Sequence, residues 1–309
     1  MKASVVIPTY NKIGRLKLVV ESLKYQTAST EDFEVVFVDD GSDDGTVRYL
    51  EKESFPFHCN VVVQNHMGRA HTRNTGVKNA KHDIIIFTDD DLILQRDFVK
   101  AHIEKHRERE QIVHGTVYNL PRTKFFKDPI KGTFMDGLEI RDSVKKHLAE
   151  ERILPAMLGT EEDFDRYIVK KSKIAALEDM IKTVLREYPG KMDWIAFVGG
   201  NVSVTKAVFE EVQGFDENFG LRWGCEDVEL GYRMMKRGIP FCYCKEAANH
   251  HITHYRAGFS GEHALNTEYF YKKYHDSVIL DFHKFISGEI TKEEFIDTLH
   301  ELNDAVELA

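Results

Sequence analysis

Cysteine is scarce in this sequence, with four residues among 309. Cys242 and Cys244 have C-x-C spacing, Cys59 and Cys225 stand alone, and the chain contains no C-x-x-C pair. This pattern argues against a structural zinc site and against a disulfide framework. We therefore expect reduced thiols and a cytoplasmic protein.

Long apolar runs and a hydrophobic leader are also missing. The N-terminus enters a strand pattern at once, so we expect no secretory signal. No apolar stretch approaches the roughly 20 residues that a membrane-spanning helix needs. We expect a soluble protein. The sequence leaves open peripheral contact with the inner face of the cell membrane and association into a homo-oligomer.

Basic residues are outnumbered, 42 against 51 acidic ones, which gives a formal net charge of −9. This balance argues against a nucleic-acid partner, which favours a basic surface. A phosphate loop of the form G-x-x-x-x-G-K-[ST] is absent, which argues against nucleotidyl or phosphoryl transfer through such a loop. The charge suits a protein that holds an anionic ligand through a metal ion and local basic groups.

Strand and helix patterns alternate in the first part of the chain. Apolar, β-branched runs bounded by turn residues predict strands, and stretches of helical periodicity lie between them. This alternation predicts an α/β protein with a mainly parallel sheet flanked by helices. The predicted strands are 4–7, 34–38, 60–64 and 84–87, and the predicted helices are 13–24 and 68–79.

Residues 115–190 have a different character. Positions 121–134 read as irregular and mix basic with aromatic residues, whereas 143–151 and 163–188 read as highly charged helices. We interpret this segment as an insertion that covers the functional face of the sheet. A solvated structural pair of helices is the alternative.

The C-terminal third returns to alternating patterns. Strand character is predicted at 194–204 and 239–244, with helices at 205–212, at 227–236 and from residue 266 onward. Thr291 to Glu294 fit a capping box, and the apolar stripe after it is expected to pack on the domain or on a second subunit. The stripe consists of Phe295, Leu299, Leu302 and Val306.

Three consecutive carboxylates, Asp89, Asp90 and Asp91, follow a predicted buried strand. Like charges at this spacing repel, so burying them requires compensation. A hard divalent cation that carries a diphosphate is the simplest compensator, and a solvated acidic turn is the alternative. Imidazoles that follow the last predicted strand could complete a metal site begun by Asp91, unless they are ordinary surface histidines. These histidines are His250, His251 and His254.

A second acidic site follows the second predicted strand, at Asp39 and Asp40, and Tyr10 follows the first strand. The carboxyl ends of parallel strands meet at one edge of a sheet, so these groups should converge on the acidic triple. A carboxylate there can accept the N–H of a uracil-type base while a tyrosine stacks on its ring. Ordinary loop capping by aspartate is the alternative.

A third acidic site, Glu226 and Asp227, begins a predicted helix just after Trp223. A carboxylate at a helix N-terminus stays ionised and can serve as a general base for a hydroxyl nucleophile, although a plain helix cap is the alternative. Trp223 could form an apolar shelf for a sugar face. Arg69 and Arg73, on the helix after the third strand, could hold a phosphate or position the acidic loop.

In their order along the chain, these motifs resemble glycosyltransferase family 2 on the GT-A fold. The first half matches through V-V-I-P-T-Y-N at 5–11, V-D-D-G-S-D-D-G-T at 38–46, G-R-A at 68–70, R-N-T-G at 73–76 and F-T-D-D-D at 87–91. The second half is similar to galactosyl- and N-acetylgalactosaminyl-transferases through V-G-G-N at 198–201, G-F-D-E at 214–217 and W-G-C-E-D at 223–227. Several motifs in order make a stronger signal than any one alone.

The resemblance implies a role for each candidate residue. Asp91 would bind Mn²⁺ or Mg²⁺ with one of the three histidines, and Asp89 would lie near the ribose and the metal, with Asp90 as a competing ligand. Asp227 would deprotonate the acceptor hydroxyl, and Glu226 would bind the acceptor or the donor sugar. The nucleotide-sugar would be held by Pro8, Tyr10, Asp40, Arg69, Arg73, Asp89 and Asp90, and the acceptor by Trp223, Gly200 and Asn201.

The resemblance also implies an organisation and a reaction. Residues 1–114 would form the nucleotide-sugar half, 115–190 a mostly helical insertion near the active site, 191–260 the acceptor half and 261–309 a helical extension. The reaction would move a sugar, from a UDP-sugar by preference, to a hydroxyl of a glycan, lipid-linked glycan, peptide or small molecule, with inversion. A retaining enzyme of the same fold and a non-catalytic sugar-nucleotide-binding protein are the alternatives.

Overall fold

The apolar strands predicted in the first part of the chain lie side by side in the computed structural model, which describes residues 1–137, 139–254 and 259–298. Within these ranges the strands are β1 Ala3–Thr9, β2 Phe33–Asp39, β3 His58–Val63, β4 Ile84–Phe87, β5 Leu92–Leu94, β6 Ile112–Asn119, β7 Phe126–Asp128, β8 Thr133–Phe134, β9 Lys173–Ile174, β10 Val202–Thr205 and β11 Phe241–His251.

Helices flank these strands. They are α1 Ile13–Lys24, α2 Thr46–Lys52, α3 Arg69–Asn79, α4 Phe98–Glu108, α5 Asp142–Leu148, α6 Glu161–Tyr167, α7 Ala176–Glu187, α8 Lys206–Glu211, α9 Glu226–Lys236, α10 Phe259–Tyr274, α11 Val278–Ser287 and α12 292–298. No helix in the described ranges has both the length and the apolar character needed to cross a membrane.

The main sheet has the order β3-β2-β1-β4-β10-β6-β11-β5, and β9 pairs with β6. β1 pairs in parallel with β2 and β4, β2 with β3, and β6 with β11. β10 runs antiparallel to β4 and β6, and β5 runs antiparallel to β11. The sheet is therefore mainly parallel, as the sequence predicts, and strands from both halves of the chain share it.

Both faces of the sheet are buried, because neighbouring residues of a strand point to opposite sides. Val6 of β1 and Phe87 of β4 belong to one apolar cluster, whereas the neighbouring Val5 and Ile86 belong to another. Aliphatic residues on both faces are typical of a parallel sheet with helices on each side, and they explain the continuous apolar runs in the sequence.

The predicted helix at 163–188 is wrong in its middle. α6 ends at Tyr167, and the chain then forms a 3₁₀ turn and the short strand β9 before α7 begins. Ser172 Oγ donates to the carbonyl of Ile168 at 2.8 Å, and Ile174 pairs with Tyr118 of β6. A side-chain hydroxyl that bonds to the backbone and a free sheet edge together outweigh the helical propensity of this charged stretch.

Two strand predictions in the C-terminal third also need correction. Residues 194–204 contain a 3₁₀ helix, Asp193–Ala196, and a turn, so the strand is limited to β10. β11 is longer than the predicted 239–244, because it continues past an irregularity between Cys244 and Ala248 to His251. His250 and His251 therefore lie within the strand rather than after it.

The predicted capping box at the start of α12 is confirmed. The Thr291 amide donates to Glu294 Oε2 at 2.7 Å, and the Glu294 amide donates to Thr291 Oγ1 at 3.2 Å. Phe295 is fully buried against Phe282 and Phe285 of α11. The rest of the predicted stripe, Leu299, Leu302 and Val306, lies outside the described residues.

Candidate active site

A cavity of about 650 Å³ opens where β1, β2 and β4 end. Tyr10, Asp40 and Asp89 line it from these strand ends, and Asp227 lines it from the start of α9. Open α/β sheets bind ligands at the carboxyl ends of their strands, so the cavity lies where the topology favours a functional site. The structure thus brings the three acidic sites together.

Asp40 is buried and accepts four contacts from the chain itself. Oδ1 accepts from Gln64 Nε2 at 2.8 Å and from the Met67 amide at 2.9 Å, while Oδ2 lies 2.8 Å from His66 Nδ1 and accepts from the Gly68 amide at 3.0 Å. Both oxygens are therefore fully used. A ligand N–H can reach Asp40 only if one of these donors moves. Of the two side chains that contact Asp40, His66 is the more exposed, at 39%.

Tyr10 stacks on the His66 ring, with the ring centroids 4.1 Å apart and the planes 12° from parallel. This pair places two flat surfaces next to Asp40, at the mouth of the cavity. Flat aromatic surfaces of this kind suit the ring of a nucleobase. Pro8 lines the same part of the cavity, and Arg69 lines it from the start of α3.

The three carboxylates of the acidic triple pair with two basic side chains. The Lys12 ammonium lies 3.1 Å from Asp90 Oδ1 and 2.7 Å from Asp91 Oδ2. Asp90 also accepts from Thr9 Oγ1 at 2.9 Å, and Asp89 pairs with Arg73 at 2.9 Å. Burial lowers the pKa of Lys12, but Asp90 and Asp91 raise it by more, so the ammonium stays charged. No sequence motif singles out this lysine, which supplies the compensation that a buried acidic run requires.

Asp91 meets two of the three candidate histidines. His254 Nε2 lies 3.4 Å and His251 Nε2 lies 3.7 Å from Asp91 Oδ2, and one ligand atom from each residue lies within 4.8 Å of the others. Burial lowers the pKa of His254 to about 3, which keeps its imidazole in the neutral form that binds metals. A carboxylate and two imidazoles suit Mn²⁺ and related divalent ions, so these residues fit a metal.

His250, the third candidate histidine, does not join this group. Successive residues of β11 point to opposite faces of the sheet, so His250 faces away from Asp91. Its Nδ1 lies 2.7 Å from Ser172 Oγ and its Nε2 lies 3.1 Å from Gln95 Nε2. Burial lowers the pKa of His250 to about 3, so it is a neutral residue of the interior.

Arg73 links the acidic triple to the start of α9. Its guanidinium, 3% exposed, pairs with Asp89 at 2.9 Å and with Glu226 at 3.0 Å. Burial lowers the pKa of Arg73, but Asp89 and Glu226 raise it by more, so it remains a fixed positive charge. These contacts are consistent with the positioning of acidic side chains, one of the two roles that the sequence leaves open for Arg73.

Asp227 accepts two backbone hydrogen bonds at the start of α9. Its Oδ2 accepts from the Gly199 amide at 3.1 Å, and its Oδ1 accepts from the Val228 amide at 2.9 Å. Burial, and then the negative charge of Glu226, raise the pKa of Asp227 to about 6. A carboxylate whose pKa lies near neutrality is a stronger base than an ordinary aspartate and is still ionised at pH 7.

Two of the three predicted acceptor-side residues line the cavity. Trp223 and Gly200 do so, but Asn201 is fully buried outside it. Asn201 Nδ2 donates to the carbonyls of Thr116 and Ala247 at 3.1 and 2.9 Å, so its side chain holds strands together. The Asn201 side chain therefore has no free surface to offer an acceptor.

The comparisons with known proteins agree with this geometry. The family "Glycosyl transferase family 2" matches residues 4–166, and the "N-terminal domain of galactosyltransferase" matches residues 180–257. An uncharacterized glycosyltransferase of Bacillus subtilis is 30% identical over 303 residues, covering 93% of this chain and 74% of that protein. A validoxylamine A glucosyltransferase of Streptomyces hygroscopicus is 30% identical over 264 residues, and the chain spans 56% of its length.

Solved structures share the fold at low sequence identity. Staphylococcus aureus TarS 1–349 in complex with UDP-GlcNAc has a TM-score of 0.55 at 17% identity, covering 92% of this chain and 73% of that one. A Pyrobaculum calidifontis mannosyltransferase in complex with GDP-Man and Mn²⁺ has a TM-score of 0.51 at 16% identity, covering 94% of this chain and 65% of that one. The chain is a glycosyltransferase that belongs to family 2 and has the GT-A fold.

Proposed function

We propose that this glycosyltransferase moves a sugar from a UDP-sugar to an acceptor hydroxyl, with a divalent metal ion and with inversion at the anomeric carbon. One observation carries the proposal: a single cavity holds the Asp91–His251–His254 group, the Asp40 site and Asp227. These are the parts that a metal-dependent sugar transfer needs, namely a place for a diphosphate-bound ion, a nucleobase site and a proton acceptor.

The donor half of the cavity would bind the nucleotide-sugar. Tyr10 and Pro8 would contact the uracil ring, and Asp40 would accept its N–H once His66 moves aside. Asp91, His251 and His254 would hold Mn²⁺ or Mg²⁺, which supplies charge neutralisation for the diphosphate leaving group. UDP is favoured because TarS structures contain UDP and UDP-GlcNAc, and because an aspartate suits the uracil edge.

Asp227 would act as the general base. Its carboxylate would take the proton of the acceptor hydroxyl as the oxygen attacks the anomeric carbon from the face opposite the leaving group. Glu226, held by Arg73, would contact a sugar hydroxyl beside it. The direct attack of an activated hydroxyl inverts the configuration, and retention stays the alternative.

Names of relatives suggest the class of donor sugar. Two relatives are named as glucosyltransferases. They are the validoxylamine A enzyme and a poly(ribitol-phosphate) β-glucosyltransferase of Bacillus spizizenii, which is 28% identical over 188 residues. We propose a hexose or N-acetylhexosamine donor, with galactose and N-acetylgalactosamine retained from the second-half match. The acceptor would be a glycan, a lipid-linked glycan, a peptide or a small molecule. Cytoplasmic location, peripheral membrane contact and self-association stay predictions.

A transfer assay tests the proposal. The protein would be incubated with Mn²⁺, a panel of UDP-, GDP- and TDP-sugars, and simple glycosides as acceptors. Nucleotide release and the anomeric proton of the product would be followed by NMR. We expect UDP release that depends on the metal, and a product of inverted configuration. If the protein binds the nucleotide without turnover, and Asp227→Asn leaves the nucleotide affinity unchanged, the result would instead support a non-catalytic sugar-nucleotide-binding protein.

A further inference from the structure

One wall of the cavity is apolar, and the proposed chemistry does not use it. Aliphatic side chains from four separate parts of the fold line it: Val117 of β6, Leu177 of α7, Val198 before β10 and Ile286 of α11. Each is partly exposed, so each offers surface to a ligand. Side chains brought together from such distant positions form a surface that neither the donor site nor the metal group explains.

This apolar wall lies beside the proposed base. Val198 directly precedes Gly199, whose amide donates to Asp227 at 3.1 Å. Trp223 lines the cavity from the loop that leads into α9. Since Val198 adjoins the residue that binds Asp227, we place the apolar wall on the acceptor side of the cavity.

A buried side-chain hydrogen bond fixes the insertion helix that carries Leu177. Glu178, the next residue, places Oε1 2.9 Å from His114 Nε2 of β6, and both side chains are almost fully buried. Val117 lies on the same strand as His114. The pair therefore holds α7 against β6 and sets Leu177 and Val117 next to the cavity as fixed parts of its lining.

The chemistry of these four side chains selects a partner. None of them can donate or accept a hydrogen bond, so sugar hydroxyls placed against them would lose water without replacement, at a cost in affinity. Trp223 alone is sufficient to stack on the face of one sugar. Aliphatic surface that is partly open to solvent gains most when hydrocarbon or an aromatic ring covers it.

We infer that the acceptor carries an apolar group, an alkyl chain or an aryl ring, next to its reacting hydroxyl, and that this group binds against Val117, Leu177, Val198 and Ile286. The inference rests on the proposed function, since it assigns the acceptor of that reaction. It narrows the acceptor to an amphipathic molecule. It also gives α7 of the segment 115–190 a function, which is to select that molecule.

Matched glycosides test the inference by direct binding. Methyl, phenyl and octyl β-D-glucopyranosides, and the corresponding galactosides, would be titrated into the protein with UDP and Mn²⁺, with the octyl compounds kept below their micelle concentration. We expect the phenyl or octyl compound to bind at least about tenfold more tightly than the methyl compound, whichever sugar is present. A preference for octyl points to a lipid, and a preference for phenyl points to a compact aromatic acceptor.

A pair of leucine variants separates this wall from the general surface. Leu177→Ser should remove the preference for the apolar glycoside while leaving UDP affinity unchanged. Leu265→Ser alters a leucine of α10 that is 55% exposed and lies outside the cavity lining, and it should keep the preference. A thermal melt of both variants shows whether Leu177→Ser remains folded, and Ile286→Ser offers a second position on the wall.

The outcomes distinguish the two proposals. If UDP binds and the three glycosides of each sugar bind equally well or not at all, the inference is overturned while the proposed function stands. A preference that survives both Leu177→Ser and Ile286→Ser would also overturn it, because the apolar group would then bind elsewhere. Failure of UDP itself to bind would count against the proposed function.

Discussion

Arg73 joins two carboxylates that lie far apart in the sequence. It bridges Asp89, which follows β4, and Glu226, which lies at the start of α9. Glu226 is 153 residues away from Arg73 along the chain. Breaking a buried charge pair by removing one partner leaves the other uncompensated, so this contact ties the two halves of the cavity electrostatically. Asp227, the neighbour of Glu226, is held separately by the amides of Gly199 and Val228.

Asp227→Asn tests the proposed base. We expect kcat to fall by a factor of about 10² or more, because an amide cannot accept the proton, while the affinity for UDP stays close to that of the wild type. The control is Asp142→Asn, which changes an aspartate whose side chain is 99% exposed on α5. Steady-state kinetics with a saturating donor measure the effect, and a wild-type kcat in Asp227→Asn would remove this residue from the mechanism.

The pH dependence follows from the raised pKa of Asp227. The base works only when it is unprotonated, so kcat/KM should fall as the pH drops through about 6. Glu226→Gln removes a negative charge that raises this pKa, so it should move the acid limb of the profile to lower pH. An acid limb that stays in place in Glu226→Gln would show that another group controls it.

Lys12 is predicted to oppose metal binding. Its ammonium lies 2.7 Å from Asp91, where a divalent cation would meet a like charge. Lys12→Met should therefore strengthen Mn²⁺ binding, by about 1–4 kcal/mol for charges some 4 Å apart. Lys52→Met, at the end of α2, serves as the control, and both would be titrated calorimetrically with Mn²⁺. Weaker Mn²⁺ binding in Lys12→Met would mean that this lysine supports the site instead.

At the scale of single residues, the sequence predicts which acidic side chains share the cavity. It does not predict the basic side chain that pairs with them. Asp40, Asp89 and Asp227 share the cavity because parallel strands end on one edge of the sheet and α9 starts beside it. Lys12 contacts Asp91 across 79 positions, and no local pattern carries that information. Asp39 caps its own turn through the amides of Gly41 and Ser42, which is the alternative that the sequence left open for it.

At the scale of elements, α7 shows how one buried pair can fix a helix. Glu178→Ala should lower the free energy of unfolding by about 1–3 kcal/mol, because it leaves a buried polar group of His114 unpaired. Glu187→Ala, on the same helix with a side chain 43% exposed, should change it by less than about 0.5 kcal/mol. Urea denaturation measures both, and equal effects would show that the buried pair contributes nothing specific.

Element boundaries were predictable where local signals and tertiary contacts agree. α1 spans Ile13–Lys24 and β4 spans Ile84–Phe87, as their periodicity predicts. The prediction failed at 163–188, where β9 pairs with β6, and at β11, where pairing with β5 and β6 extends the strand to His251. In both places a distant strand decides the structure, and composition alone does not reveal that partner.

At the scale of the whole molecule, an acidic protein is proposed to bind an acidic donor. The formal net charge of −9 repels a nucleoside diphosphate at long range, so we propose that binding depends on Lys12, Arg69, Arg73 and a bound cation inside the cavity. The fold brings the proposed metal ligands, Asp91, His251 and His254, together by placing strands from both halves of the chain in one sheet. The affinity for UDP should therefore depend strongly on the metal.

Calorimetric titration of UDP, with and without Mn²⁺, tests the central claim most directly, in the wild type and in Asp91→Asn. We predict that Mn²⁺ tightens UDP binding to the wild type, because Asp91, His251 and His254 would hold the ion against the diphosphate. The same ion should have little effect in Asp91→Asn. UDP binding that is absent under both conditions, or that responds equally to Mn²⁺ in both proteins, would contradict this account of the site.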